Sequence, residues 1–133
     1  PREVFQRPAD TFVANFIGST PMNLLPGEVR GAQVECAGAR LPAPPALPDG
    51  TPVVVGVRPE YLAVVDHGIT GRVAAVENLG VSSLVTLDCP DGTLLSLTVP
   101  EQDEPDLDQP LTVNAPPGRL LFYDADHGRL LNS

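Results

Sequence analysis

The sequence of 133 residues contains no lysine, so all of its positive side-chain charge comes from eight arginines. That absence removes whole classes of chemistry. A P-loop needs Gly-Lys-Ser/Thr to hold nucleotide phosphates, a protein kinase needs its strand lysine, and a Schiff-base enzyme needs an amine. Positive charge is also scarce. Seventeen Asp and Glu against eight Arg leave a formal net charge of −9. The arginines gather into no basic stripe that could displace counterions from a phosphate backbone, so nucleic acid is not an expected partner. The same acidity argues against an anionic lipid surface, and no apolar run approaches the roughly eighteen residues that span a bilayer. Cysteine is limited to Cys36 and Cys89, both in stretches of strand character. They read as small buried side chains in a reducing compartment, with a disulfide as the alternative. The amino-terminal residues lack the charged, apolar, small-residue order of a secretory signal, which points to the cytoplasm. Pro1 in place of a methionine points to a processed or excised piece.

What is present is enough for one ordinary domain that needs neither disulfide nor metal. Leu, Val, Ile and Phe make up 39 of the 133 residues, which places the chain among folded rather than disordered sequences, with loops rich in proline. The first segment, PREVFQRPADTFVANFIGS, is the one good helical pattern: Phe12, Val13, Phe16 and Ile17 form a single stripe, Pro8 suits a first turn and Gly18 a helix end. Two short helical pieces broken near Arg7-Pro8 are expected. The stripe packs either on the chain's own sheet or as the seam to a preceding domain.

From Met22 onward the pattern changes to short strands separated by Gly, Pro and Asp. The runs MNLLPGEVRG, AQVECAG, PVVVGVRP, YLAVVD, GITGRVAAVENLG, SSLVTLDC, TLLSLTVP and GRLLFYD together predict an all-β barrel or sandwich. The clearest hairpin pairs Leu84–Cys89 with Thr93–Leu97 around Pro90-Asp91-Gly92, where glycine supplies the positive φ that a tight turn needs. Residues Leu41 to Pro52 hold five prolines and read as a stiff connection between two sub-sheets. Glu101 to Asp108 packs five carboxylates into eight residues and reads as an exposed acidic loop rather than a metal site.

Catalysis has nothing specific to stand on. Ser82, Ser83 and Ser96 lie in strand patterns without a Gly-x-Ser-x-Gly elbow. His67 and His127 both occur in Asp-His-Gly, a turn composition with no Cys or Glu at ligand spacing, so no metal is expected. One stretch, Val55 to Leu62 (VGVRPEYL), ends an apolar run in Arg-Pro-Glu. Pro59 removes a ladder donor and holds Arg58 extended, which makes a corner between strands. Arg58 and Glu60, two residues apart, can face one side, so the corner is either structural or a direct effector contact.

FVANFIGSTPMNLL (12–25), VGVRPEYL (55–62), GRVAAVENLG (71–80) and PPGRLLFYDADHGRLL (116–131) together resemble the carboxy-terminal regulatory region, with its TOBE segment, of the ATPase subunits of sugar-type ABC importers of the maltose-transporter class. The most specific pieces are Phe16-Ile17-Gly18-Ser19 with Pro21-Met22-Asn23, and Val57-Arg58-Pro59-Glu60. The resemblance implies an OB-like β-barrel of short antiparallel strands over 22–133. It also implies a helical linker over 1–21 from a nucleotide-binding domain that would hold ATP and Mg, so the piece itself would need no cofactor. A homodimer of ATPase subunits is implied as well, working with transmembrane permease subunits at the inner face of the cell membrane and open to a regulatory protein or small-molecule effector. The cargo would be a sugar, glycerol 3-phosphate or a glycerophosphodiester. Carried over by motif, the regulatory or interface residues are Arg58, Glu60, Glu77, Asn78 and Gly80. Phe12, Val13, Phe16 and Ile17 belong to the domain seam, and Phe122 reads as core. A stand-alone OB-like module for an oligosaccharide or oxyanion is the alternative from another class.

Overall fold

The computed structural model describes residues 22–44, 46–116 and 118–131. The expected helical segment and its stripe of Phe12, Val13, Phe16 and Ile17 lie outside the described residues. Among the described residues nine antiparallel strands build two sheets, which bears out the all-β expectation. The first sheet contains β1 (Asn23–Arg30), β2 (Gln33–Cys36), β3 (Ala39–Pro42), β4 (Pro52–Val57) and β9 (Leu121–Asp124) in the order β3-β2-β1-β4-β9. The second contains β5 (Ala63–Asn78), β6 (Ser82–Asp88), β7 (Leu94–Pro100) and β8 (Pro110–Asn114) in the order β7-β6-β5-β8.

Both sheets point alternate side chains into one apolar interior, as a period of two requires. Val53, Val55 and Val57 of β4 meet Val85 and Leu87 of β6 and Leu95, Leu97 and Val99 of β7 there. Burying each such side chain contributes about 1.5–3 kcal/mol, so this interior is the main source of stability. A second, smaller cluster of Met22, Leu121 and Tyr123 forms on the opposite face of the first sheet. Gly56 makes it possible, because a Cβ there would stand 2.8 Å from both Met22 Sδ and Tyr123 Cε2.

The hairpin of β6 and β7 follows the sequence expectation. Its register runs from Ser82↔Pro100 to Asp88↔Leu94, and the turn closes with Cys89 N–H donating to the Thr93 carbonyl at 2.9 Å. Three expectations change. Ala63–Asp66 of the run YLAVVD and the run GITGRVAAVEN are parts of one strand, β5, with an irregularity at 65–68 where Val113 faces both Val64 and Ile69, while Tyr61 belongs to the preceding turn. Gly68 at φ 153 is required there, since a Cβ would fall 2.2 Å from the Val113 carbonyl oxygen. The proline-rich connection joins β3 to β4 inside the first sheet rather than linking two sub-sheets, and its ends, Leu41-Pro42 and Pro52, are themselves in the ladder. Strands β3 and β8 were not foreseen, because four or five residues ending or beginning in proline carry too little period-two signal.

The chain changes sheet at Arg58–Leu62, and a side-chain amide helps close the barrel near the same end. Asn23 Nδ2 donates to the Ser96 carbonyl at 2.7 Å, and Ser96 N–H donates to Asn23 Oδ1 at 2.8 Å. Asn23 thus stands in for a strand partner on the outer edge of β7. Asn23→Ala is expected to lower stability by about 1–3 kcal/mol, because it strands two edge groups in a half-buried setting. A urea titration checks this through a lower midpoint at unchanged slope.

Candidate functional site

The predicted corner is a corner. Arg58 is extended (φ −77, ψ 141), Pro59–Tyr61 form a single 3-10 turn, and Leu62 N–H returns to the Pro59 carbonyl at 3.3 Å. Arg58 and Glu60 do not share an environment: Arg58 is 5 % exposed, whereas Glu60 is open to solvent. A 3-10 turn between them rotates the second side chain away, where a continuous strand would have kept both on one face. Arg119, from the loop between β8 and β9, lies over the Tyr61 ring at 4.2 Å. A half-exposed cation–π contact of this kind contributes about 0.5–1 kcal/mol and ties two of the motif stretches together.

Glu77, Asn78 and Gly80 occupy the exposed tip between β5 and β6. Asn78 Oδ1 accepts from Gly80 N–H at 2.8 Å, and Leu79 N–H donates to the Ser82 carbonyl at 2.8 Å, so this bend holds itself. Sequence reasoning missed its link to the acidic loop. Glu104 Oε2 accepts from the hydroxyl of Ser83, which is fully buried, and from Asn78 Nδ2 at 3.5 Å. Glu101 N–H also donates to the Val81 carbonyl at 3.2 Å. The loop is therefore exposed yet anchored. The only hint in the sequence was a serine at an inward position of an apolar strand, which needs a partner.

Between the first residues of β5, the end of β7 and the acidic loop lies a half-open groove of about 660 Å³. Val64 and Leu111 contribute apolar surface, the buried Leu62 and Val99 also line it, and Asp103 and Glu104 are carboxylates on its wall.

Neither cysteine is placed for nucleophilic work. Both are buried free thiols, and Cys36 lies within electrostatic reach of Cys89 and Asp91. Burial, aided by Asp91, pushes the Cys36 thiol up to about 12 and the Cys89 thiol up to about 11, so both are protonated at neutral pH. Asp91 itself is held below the usual carboxylate range by the Thr93 N–H and hydroxyl. His67 sits in the irregular stretch of β5, where its carbonyl accepts from Asn114 Nδ2 at 3.2 Å; His127 is in the turn after β9, and both are exposed. Among the described residues no group of three His, Cys, Asp or Glu is arranged to hold a metal, and no helix is long and apolar enough to cross a membrane.

The anchored corner, the self-held tip and the groove are carried by one two-sheet antiparallel β-module. Comparison with known proteins places it. Residues 55–122 match the family model of the TOBE domain, and residues 23–64 match that of the CysA C-terminal regulatory domain. The chain belongs to the TOBE domain family. It is 40 % identical to the sn-glycerol-3-phosphate import ATP-binding protein UgpC of Cereibacter sphaeroides and 36 % identical to that of Jannaschia sp., in each case over 98 % of this chain and 38 % of the relative. The UgpC of Bordetella pertussis is 43 % identical over 67 % of this chain and 26 % of its own length. The chain thus spans well under half the length of these relatives. Among solved structures, the cytoplasmic molybdate-binding protein ModG superposes with a TM-score of 0.59 at 19 % identity, covering 75 % of this chain and 94 % of that one. That likeness concerns the fold alone.

The thiols generate a pH prediction. Both folded values lie above the ordinary 9.0, so the unfolded chain loses protons first as pH rises. Stability is fully present below about pH 9 and is expected to fall between there and about pH 11–12. The Cys36→Ala, Cys89→Ala double variant loses that part of the alkaline slope in urea titrations at stepped pH. In the native wild type at pH 8, both thiols stay silent to a thiol-specific chromogenic reagent until denaturant is added.

Proposed function

We propose that this chain is the regulatory part of the ATP-binding subunit of an ABC importer, with sn-glycerol 3-phosphate or a related sugar or glycerophosphodiester as cargo, and that it performs no catalysis of its own. The observation that carries this reading is the similarity to UgpC proteins, which runs through 98 % of this chain while occupying 38 % of the relative. ATP and Mg would be held by a preceding nucleotide-binding domain, since phosphate cradling by a P-loop needs a lysine that this chain lacks. Its partners would be that domain, a second ATPase subunit in a homodimer, and the permease subunits that the nucleotide-binding domain engages at the cytoplasmic face of the membrane. Phe12, Val13, Phe16 and Ile17 are assigned to the seam with the preceding domain.

Within this reading the exposed Glu60 of the corner and Glu77, Asn78 and Gly80 of the β5–β6 tip form the surface offered to a regulatory protein or effector. Arg58, being buried, positions the corner instead of touching a partner. Glu60→Ala and Glu77→Ala are exposed changes expected to move stability by no more than about 0.5 kcal/mol. In the assembled transporter they should leave basal ATP hydrolysis intact and weaken only its response to a regulator, which steady-state hydrolysis with and without regulator reads directly.

The first test of the assignment is the mass of the native polypeptide, detected in source cells with an antibody against this domain. A band well above 14.0 kDa is expected. One at 14.0 kDa would remove the importer-subunit reading in favour of a free module. Light scattering over a concentration series is expected to show self-association of the isolated chain, and a monomer throughout would assign dimerisation to the preceding domain.

A further inference from the structure

We propose that the groove between β5, β7 and the acidic loop is a docking site for an extended segment of a partner protein that alternates apolar side chains with Arg or Lys. The proposal goes beyond the importer reading and does not depend on it.

Three features converge on that occupant. The first is apolar surface: Val64 on the wall is 54 % exposed and Leu111 is half-buried beside it, while Leu62 and Val99, which also line the groove, are buried. The second is charge. The loop from Glu101 to Asp108 carries five carboxylates, and Asp103 and Glu104 line the groove itself. The Arg30–Glu28, Arg30–Glu35 and Arg40–Glu35 ion pairs lie on the other sheet, and Arg72 reaches this loop at the Asp108 backbone carbonyl, at 3.0 Å. With the chain's net charge of −9, the groove rejects anions and attracts cations.

The third feature is backbone, and it selects an extended polypeptide over a small amine. In the β6–β7 ladder the Cys89 and Thr93 pair at the turn is hydrogen-bonded. Alternation therefore makes Leu87↔Leu95, Val85↔Leu97 and Ser83↔Val99 the bonded pairs and points the N–H and C=O of Ser96 and Thr98 off the outer edge. Ser96 confirms this by spending both groups on Asn23. Thr98, two residues on, faces the same edge and lines the groove, so it offers a donor and an acceptor to an incoming strand.

The wall is already in place before any partner arrives. Glu104 is held by Ser83 and Asn78, Asp106 N–H donates to Gln109 Oε1 at 3.0 Å, and Asp108 N–H to the Val73 carbonyl at 2.8 Å. Little ordering cost then falls on the domain at binding.

The test uses the full 133-residue chain and two synthetic peptides, acetyl-Val-Arg-Leu-Arg-Val-amide and its charge-reversed form with Glu in place of Arg, in an NMR titration of the backbone amides. The cationic peptide is expected to shift Val64, Thr98, Asp103 and their neighbours, with affinity falling roughly tenfold between low and high salt. Asp103→Asn and Val64→Asn should each weaken binding several-fold. Both positions are exposed, so the variants should fold, and Asp126→Asn on the far turn should bind as wild type. Equal binding of the two peptides, shifts located elsewhere, or no loss in Asp103→Asn and Val64→Asn would overturn the proposal. So would equal binding by N-acetyl-arginine amide alone, which would make the groove a small-cation site.

Discussion

The geometry of this domain depends on how two sheets that share one apolar interior are held in register, and Asn23 supplies a specific directional link between them. Hydrophobic burial is strong but non-directional; it draws β4 toward β6 and β7 without deciding their offset. The reciprocal hydrogen bonds between the Asn23 amide and Ser96 do decide it, because two bonds at one residue tolerate no slide along the strand. They also cover the outer edge of β7 at one position, and edge strands otherwise present unpaired groups along their whole length. From that point the edge continues to Thr98 and the acidic groove.

A second constraint follows from Pro59. It cannot donate to a ladder, and it makes the preceding Arg58 extended, so the first sheet ends there and the chain turns into the second. That crossing brings Tyr61 under Arg119 and starts β5, the long strand whose far tip meets the acidic loop. The corner, the tip and the groove are consequently three places on one continuous path. Each bend on that path is closed by its own side-chain or main-chain bonds.

Much of this was legible beforehand. The β6–β7 hairpin was readable because alternation flanks a Pro-Asp-Gly turn, and the corner because proline leaves few choices. The buried cysteines followed from their place in apolar runs. Strand β8 was not readable: Pro110–Asn114 exposes its first residue and buries only Val113 fully. Nor was the continuity of β5, since Asp66-His67-Gly68 has turn composition and is held in the strand by Val113 and Asn114 from a partner more than forty residues away. The site residues divided in the same way. Glu77, Asn78 and Gly80 form the local bend that their composition indicates, whereas Arg58 is buried and Glu60 exposed through a 3-10 turn that a two-residue spacing does not encode.

By itself, then, the sequence determined the fold class, the placement of the tight turns, the exclusion of lysine chemistry and the family. All of these rest on local periodicity, residue type or contiguous motif, which need no knowledge of distant partners. Tertiary structure alone decided which strands share a sheet, where the proline-rich connection leads, and that Asn23, Glu104 and Arg119 bridge elements far apart in the chain. It also decided that an acidic loop and apolar edge residues meet around one groove. These outcomes come from long-range packing, in which a side chain's role is set by whatever the fold brings opposite it.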